Sequence, residues 1–147
     1  MNDARAHMAR ALALAAAQKG RTGDNPAVGC VIVKDGAVLG EGATADGGRP
    51  HAEEIALQAA GAAARGAAAY VTLEPCARRT SGTASCADLL IAAGVGKVFI
   101  ACADPHPMAN GAGVARLEAA GAAVEIGLMA SEAEAINADF IGKWAKG

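Results

Sequence analysis

A chain of 147 residues, 53% of them apolar, is long enough to bury the core of one domain, and residues 1–147 are read as such. Its formal charge of −2 and 3% aromatic content argue against the basic, aromatic-lined groove of a general nucleic-acid binder. Without an apolar run that could span a membrane, and with a charged, alanine-rich start in place of a signal peptide, the expected location is the cytoplasm.

Apolar residues at three-to-four spacing (Met8, Leu12, Ala15 or Ala16) predict a helix over 3–19, with Asp3 as its N-cap. Gly20 to Asp24 break it, and the turn Asn25-Pro26-Ala27 feeds a strand over 28–34. Asp35-Gly36 is a strong hairpin signal that returns the chain as an edge strand over 37–42. After a polar loop at 44–49, Pro50 starts a helix to about Ala62. The nearly unbroken apolar run at 69–74 suits a central strand covered on both faces. A Ser-, Thr- and Arg-rich loop leads to a helix over 86–93, and a second buried strand covers 97–102. The loop 104–112, a helix over 113–120 and a short strand at 123–126 follow. Ser131 is expected to cap a last helix from Glu132 to about Gly142, with Ala135, Ile136 and Phe140 facing inward. A hairpin followed by strands alternating with helices predicts a three-layer α/β/α domain around a five-stranded mixed sheet.

The chemistry concentrates between residues 51 and 86. Four cysteines in such a chain point to metal or buried thiols before disulfides. His51-Ala52-Glu53, then Pro75-Cys76, then Cys86 supply one imidazole, two thiols and a nearby carboxylate. Zinc held by three protein ligands keeps its fourth tetrahedral position open, which is the catalytic arrangement. The pattern is the zinc-deaminase signature. An isolated histidine at a helix start is ordinarily no more than that; its pairing with Glu53 and Cys76 makes His51 a ligand. Glu54 reads as a first-turn glutamate favoured by the helix dipole. Cys30 and Cys102 lack such company and read as buried core thiols. In the implied reaction zinc makes water nucleophilic, Glu53 takes its proton, and Glu53 returns protons to a ring nitrogen and a leaving amine.

With Asn25-Pro-Ala-Val-Gly-Cys-Val-Ile-Val33, His51-Ala-Glu53, Tyr70-Val-Thr-Leu-Glu-Pro-Cys76, Cys86, Ala93-Gly-Val95, Asp104-Pro105, Gly111-x-Gly113 and Asn137-x-x-Phe140, the chain resembles a known family. It is similar to the deaminase domain of the bifunctional riboflavin-biosynthesis deaminase/reductase, within the cytidine and deoxycytidylate deaminase-like superfamily. Nine residues separate the cysteines, against two in cytidine and tRNA-adenosine deaminases; the riboflavin family carries a similarly long insertion, usually one residue shorter. The resemblance implies hydrolytic deamination of 2,5-diamino-6-ribosylamino-4(3H)-pyrimidinone 5′-phosphate to the 5-amino-uracil derivative and ammonia, with Zn2+ as cofactor. It implies that Asn25 hydrogen-bonds the pyrimidine and that the Glu74 backbone adds a contact at the amine. Asp104 and His106 are expected at the substrate as well. The family's usual loop between the cysteines is replaced by Ala77-Arg-Arg-Thr-Ser-Gly-Thr-Ala-Ser85, where Arg78 and Arg79 stand beside the expected phosphate and Arg79, with Ser81 or Thr83, is the chosen contact.

Two other functions stay open: deamination of another free nucleobase or nucleotide of the cytosine or guanine type, and a non-catalytic zinc-stabilised scaffold. Glu53 argues against the scaffold, since a structural zinc needs no such carboxylate. The expected partners are the small phosphorylated aminopyrimidine, a second copy in a homo-oligomer, and no nucleic acid. The family's reductase domain would begin about where this chain ends, so reduction falls to a separate protein or the chain is an excised domain. No Gly-x-Gly-x-x-Gly follows a strand to offer a nicotinamide site.

Overall fold

The computed structural model describes residues 3–23, 25–76, 85–103 and 111–138. Helix α1 spans Asp3–Gln18, followed by strands β1 (Gly29–Lys34) and β2 (Ala37–Ala43). Helix α2 (Ala52–Ala60) tightens into a 3-10 turn at Gly61–Ala64 and leads to β3 (Ala68–Leu73). Then come α3 (Cys86–Ala92), β4 (Lys97–Cys102), α4 (Ala112–Ala119), β5 (Ala123–Ile126) and α5 (Ala130–Ile136). Among the described residues no helix is long and apolar enough to cross a membrane.

The five strands form one mixed sheet in the order β2-β1-β3-β4-β5, as the alternation of elements predicts. Strand β1 is antiparallel to both neighbours, whereas β3, β4 and β5 run parallel. Asp35 (φ 52°) and Gly36 (φ 79°) make the β1–β2 turn, both in the left-handed conformation of the tight hairpin the sequence announces. The connection through α2 passes over β1, because β1 lies between β2 and β3. The amino end of β1 and the carboxyl ends of β3 and β4 therefore meet at one edge, which is where open sheets carry their sites.

Helices lie on both faces. α1 packs on β1 and β3 and meets α5; on the other side α2 meets α3 and α3 meets α4. Met8, Leu12 and Ala15 of α1 are buried, as their spacing predicts, and Ala11 joins them. Glycines set the approach of helix to sheet. A Cβ on Gly42 would run into the Ala52 carbonyl oxygen, and one on Gly40 into that of Ala56, so α2 lies directly on the backbone of β2. Beneath α1, Tyr70 and Phe99 stack with ring centroids 4.5 Å apart.

The helix starts differ from expectation. Pro50 precedes α2, because His51 is extended (φ −76°, ψ 160°) and occupies the N-cap position. The last helix begins at Ala130 with Met129 at its N-cap position in the left-handed region, so Ser131 lies inside the first turn. Left-handed Gly127 and Met129 follow β5 directly, and the helix starts two residues earlier than expected. Ala133 is buried and Ala135 exposed, against expectation, whereas Ile136 packs half-buried against the core as expected. The side chain of Asp3, and Phe140, lie outside the described residues.

Candidate active site

His51 stands where β2 has returned the chain to the sheet edge and α2 begins. Its backbone N–H donates to Glu54 Oε1 at 3.0 Å, so Glu54 closes the helix start and sets the angle at which the imidazole leaves the chain. Cys76 follows the end of β3 by a short extended exit, and Cys86 is the first residue of α3. Ser85 caps α3, accepting the Asp88 N–H at 3.1 Å. The two cysteine segments are tied locally: Cys86 N–H donates to Cys76 Sγ at 3.2 Å, and Ala87 N–H to the Cys76 carbonyl at 3.0 Å.

The ligand atoms of His51, Cys76 and Cys86 all lie within 4.8 Å of one another. Tetrahedral zinc with bonds of about 2.0 Å to nitrogen and 2.3 Å to sulfur needs ligand atoms roughly 3.5–3.8 Å apart. His51 Nδ1 is already 3.3 Å from Cys86 Sγ. The donor set, one nitrogen and two sulfurs, suits zinc, and three ligands leave one position for water or substrate. Cys30 and Cys102 stay out of the cluster. Cys30 is fully buried in β1, and Cys102 donates its thiol to the Thr72 carbonyl at 3.4 Å.

Glu53 lies one residue inside α2 and is buried beside the cluster. Burial pushes its carboxyl up to about 7; the negative charge of Cys76 adds to the rise, while its own backbone N–H, His51 and the Cys86 thiol oppose it. A carboxylate held in this way is suited to taking and returning protons near neutral pH.

The surroundings hold this arrangement in place. Asn25 is exposed on the turn before β1, its side chain over Gly48, where a Cβ would collide with the Asn25 amide. Thr22 Oγ1 donates to the Asn25 carbonyl at 2.6 Å. Glu74, whose backbone is the expected substrate contact, also uses its side chain. Its carboxylate accepts the N–H groups of Gly111 and Val114, both at 3.0 Å, and so caps α4. Asn137 joins the set as a residue the motif reading assigned no role. Its buried amide accepts the Ala27 N–H at 2.9 Å and donates to the Ala27 carbonyl at 2.8 Å, tying α5 to the Asn25 turn. Its place in the Asn137-x-x-Phe140 pattern was the available signal. Arg78, Arg79, Ser81, Thr83, Asp104 and His106 lie outside the described residues.

Residues 1–102 match the family model described as the cytidine and deoxycytidylate deaminase zinc-binding region. The chain belongs to this deaminase family. Within it, the chain is 52% identical over 143 residues to the riboflavin biosynthesis protein RibD of Escherichia coli, covering 96% of this chain and 38% of that protein. It is 41% identical to the diaminohydroxyphosphoribosylamino-pyrimidine deaminase of Buchnera aphidicola, covering 97% of both. The solved structure of Acinetobacter baumannii RibD superposes with a TM-score of 0.94 at 45% identity, over 98% of this chain and 40% of that one. The chain thus spans about two fifths of the length of these RibD proteins and 97% of the Buchnera deaminase. The resemblance drawn from the motifs and the mixed five-stranded fold are both borne out, and zinc is the metal of this family's site.

Proposed function

We propose that the chain catalyses the hydrolytic deamination of the diaminopyrimidinone ribose phosphate of riboflavin biosynthesis, the substrate that the name of its Buchnera relative describes. The observation that carries the reading is the buried Glu53 carboxyl beside a three-ligand His51, Cys76, Cys86 cluster, since a structural zinc site needs neither an open position nor a proton carrier.

His51, Cys76 and Cys86 hold the metal. Bound there, zinc supplies Lewis acidity that makes water nucleophilic near neutral pH. Glu53 takes a proton from the attacking water as the new C–O bond forms at the amine-bearing ring carbon. It delivers that proton to the adjacent ring nitrogen. A second proton, from the newly added hydroxyl, passes through Glu53 to the exocyclic amine, the C–N bond breaks, and ammonia leaves behind a carbonyl. Asn25 meets the pyrimidine at the mouth of the site, held by Thr22 and seated over Gly48. The Glu74 backbone, Asp104 and His106 complete the ring contacts, and Arg79 takes the phosphate.

Ammonia release from zinc-loaded protein tests the reading. The phosphorylated diaminopyrimidinone is expected to turn over, and its dephosphorylated form, cytosine, cytidine and guanine are not. Turnover of a free base with none of the phosphorylated compound would retain the zinc chemistry and reject the substrate.

A further inference from the structure

The two cysteines of the cluster arrive on different elements, and a third element touches the bases of both. Helix α4 sits with its first turn against the exit of β3. A Cβ on Gly113 would fall on the Pro75 carbonyl oxygen and come within 3.1 Å of Glu74 Cγ, so glycine lets the helix backbone rest on the two residues before Cys76. Glu74 then ties the end of β3 to α4. Its backbone N–H donates to the Cys102 carbonyl at 2.9 Å, which keeps it in the sheet, and its carboxylate binds the N–H groups of Gly111 and Val114 at 3.0 Å each. These are helix-start donors without partners inside the helix, and a buried carboxylate needs such donors. One turn further on, Arg116 Nε donates to Asp88 Oδ1 at 2.7 Å. Asp88 is in the first turn of α3, and its own N–H is bound to Ser85, the residue before Cys86.

We infer that α4 braces both zinc-binding cysteines, with Glu74 as the positioning residue for Cys76 and the Arg116–Asp88 pair as the corresponding tie to Cys86. Side chains behind a metal's ligands set how well the ligands are aimed, and removing one typically weakens metal binding roughly 10- to 100-fold. Glu74 acts on Cys76 through the direction in which β3 ends. Arg116 acts on Cys86 through an exposed ion pair, so its share is smaller.

The test is zinc transfer from the zinc-loaded protein to a competing chelator, for wild type, Glu74→Gln, Glu74→Ala and Arg116→Ala. Cobalt-loaded samples report the thiolate-to-metal absorption band, which reads cysteine geometry directly. In Glu74→Gln an amide donor replaces one acceptor, facing a backbone N–H. Zinc affinity is expected to fall about 10-fold or more with the cobalt band altered and helical circular dichroism retained. Arg116→Ala is expected to lose about 2- to 5-fold. Glu74→Gln that is less stable yet holds zinc within about 2-fold of wild type, with an unchanged cobalt band, would overturn the inference. If Glu74→Ala does not fold, Glu74→Gln and Arg116→Ala still decide. Both readouts concern the metal, so they stand apart from the identity of the substrate.

Discussion

At Glu53, burial and the metal pull the carboxyl in opposite directions. Burial raises it to about 7, and the positive charge of zinc bound beside it would draw it back down. A proton acceptor works in its ionised form, so the rate falls as pH drops through this pKa. The acid limb of kcat/KM in the zinc-loaded protein is therefore expected below pH 7, read from initial rates of ammonia release. Glu53→Gln keeps the shape and removes the base; kcat/KM should drop roughly 10²- to 10⁴-fold with zinc content unchanged by metal analysis. His51, Glu53, Cys76 and Cys86 could be read from the chain because metal and proton chemistry restrict the residue type at each position. Glu54 could not: a first-turn glutamate becomes a cap only when the preceding backbone turns its N–H toward it, as the extended His51 does.

Between elements, the site depends on how closely α2 lies on β2. Gly42 stands against the Ala52 carbonyl, one residue before Glu53. Gly42→Ala must push the helix outward, with an expected loss of about 1–3 kcal/mol in urea unfolding and a weaker zinc site. Asn137 links elements 110 residues apart through two hydrogen bonds to Ala27. An amide offers a donor and an acceptor side by side, which is what a backbone N–H and C=O together require. Asn137→Ala leaves both buried backbone groups unpartnered, so a loss of roughly 2–4 kcal/mol is expected from the urea midpoint. Asn137→Asp, which accepts but cannot donate, should recover only part of it. The element order was legible because hydrophobic period, Gly and Pro are local signals. The start of α5 was not, since the turn at Gly127 and Met129 precedes that helix directly.

For the whole molecule, a metal held by α2, the exit of β3 and α3 joins segments that are separate in the unfolded chain. A ligand that binds only the folded state adds about 2.7 kcal/mol of stability when present at 100 times its Kd. For a chain of this size that corresponds to roughly 5–10 °C in Tm. Chelation is expected to lower Tm by this order and zinc to restore it, measured by differential scanning calorimetry. Weak dependence of Tm on zinc would mean that the sheet and its helices hold the cluster's shape without the metal.

By itself, the sequence determined the layers of the fold, the hairpin at Asp35-Gly36, the three residues that meet as a zinc-site candidate and the carboxylate proposed as proton carrier. These are properties of local pattern and of chemistry that few side chains can perform. The tertiary structure decided that β1 would lie between β2 and β3, that Gly42 would admit α2, that Glu74 would reach α4 and that Asn137 would clasp Ala27. Each of those contacts joins residues distant in the chain, and the partner of a buried backbone group is known only once packing has brought it there.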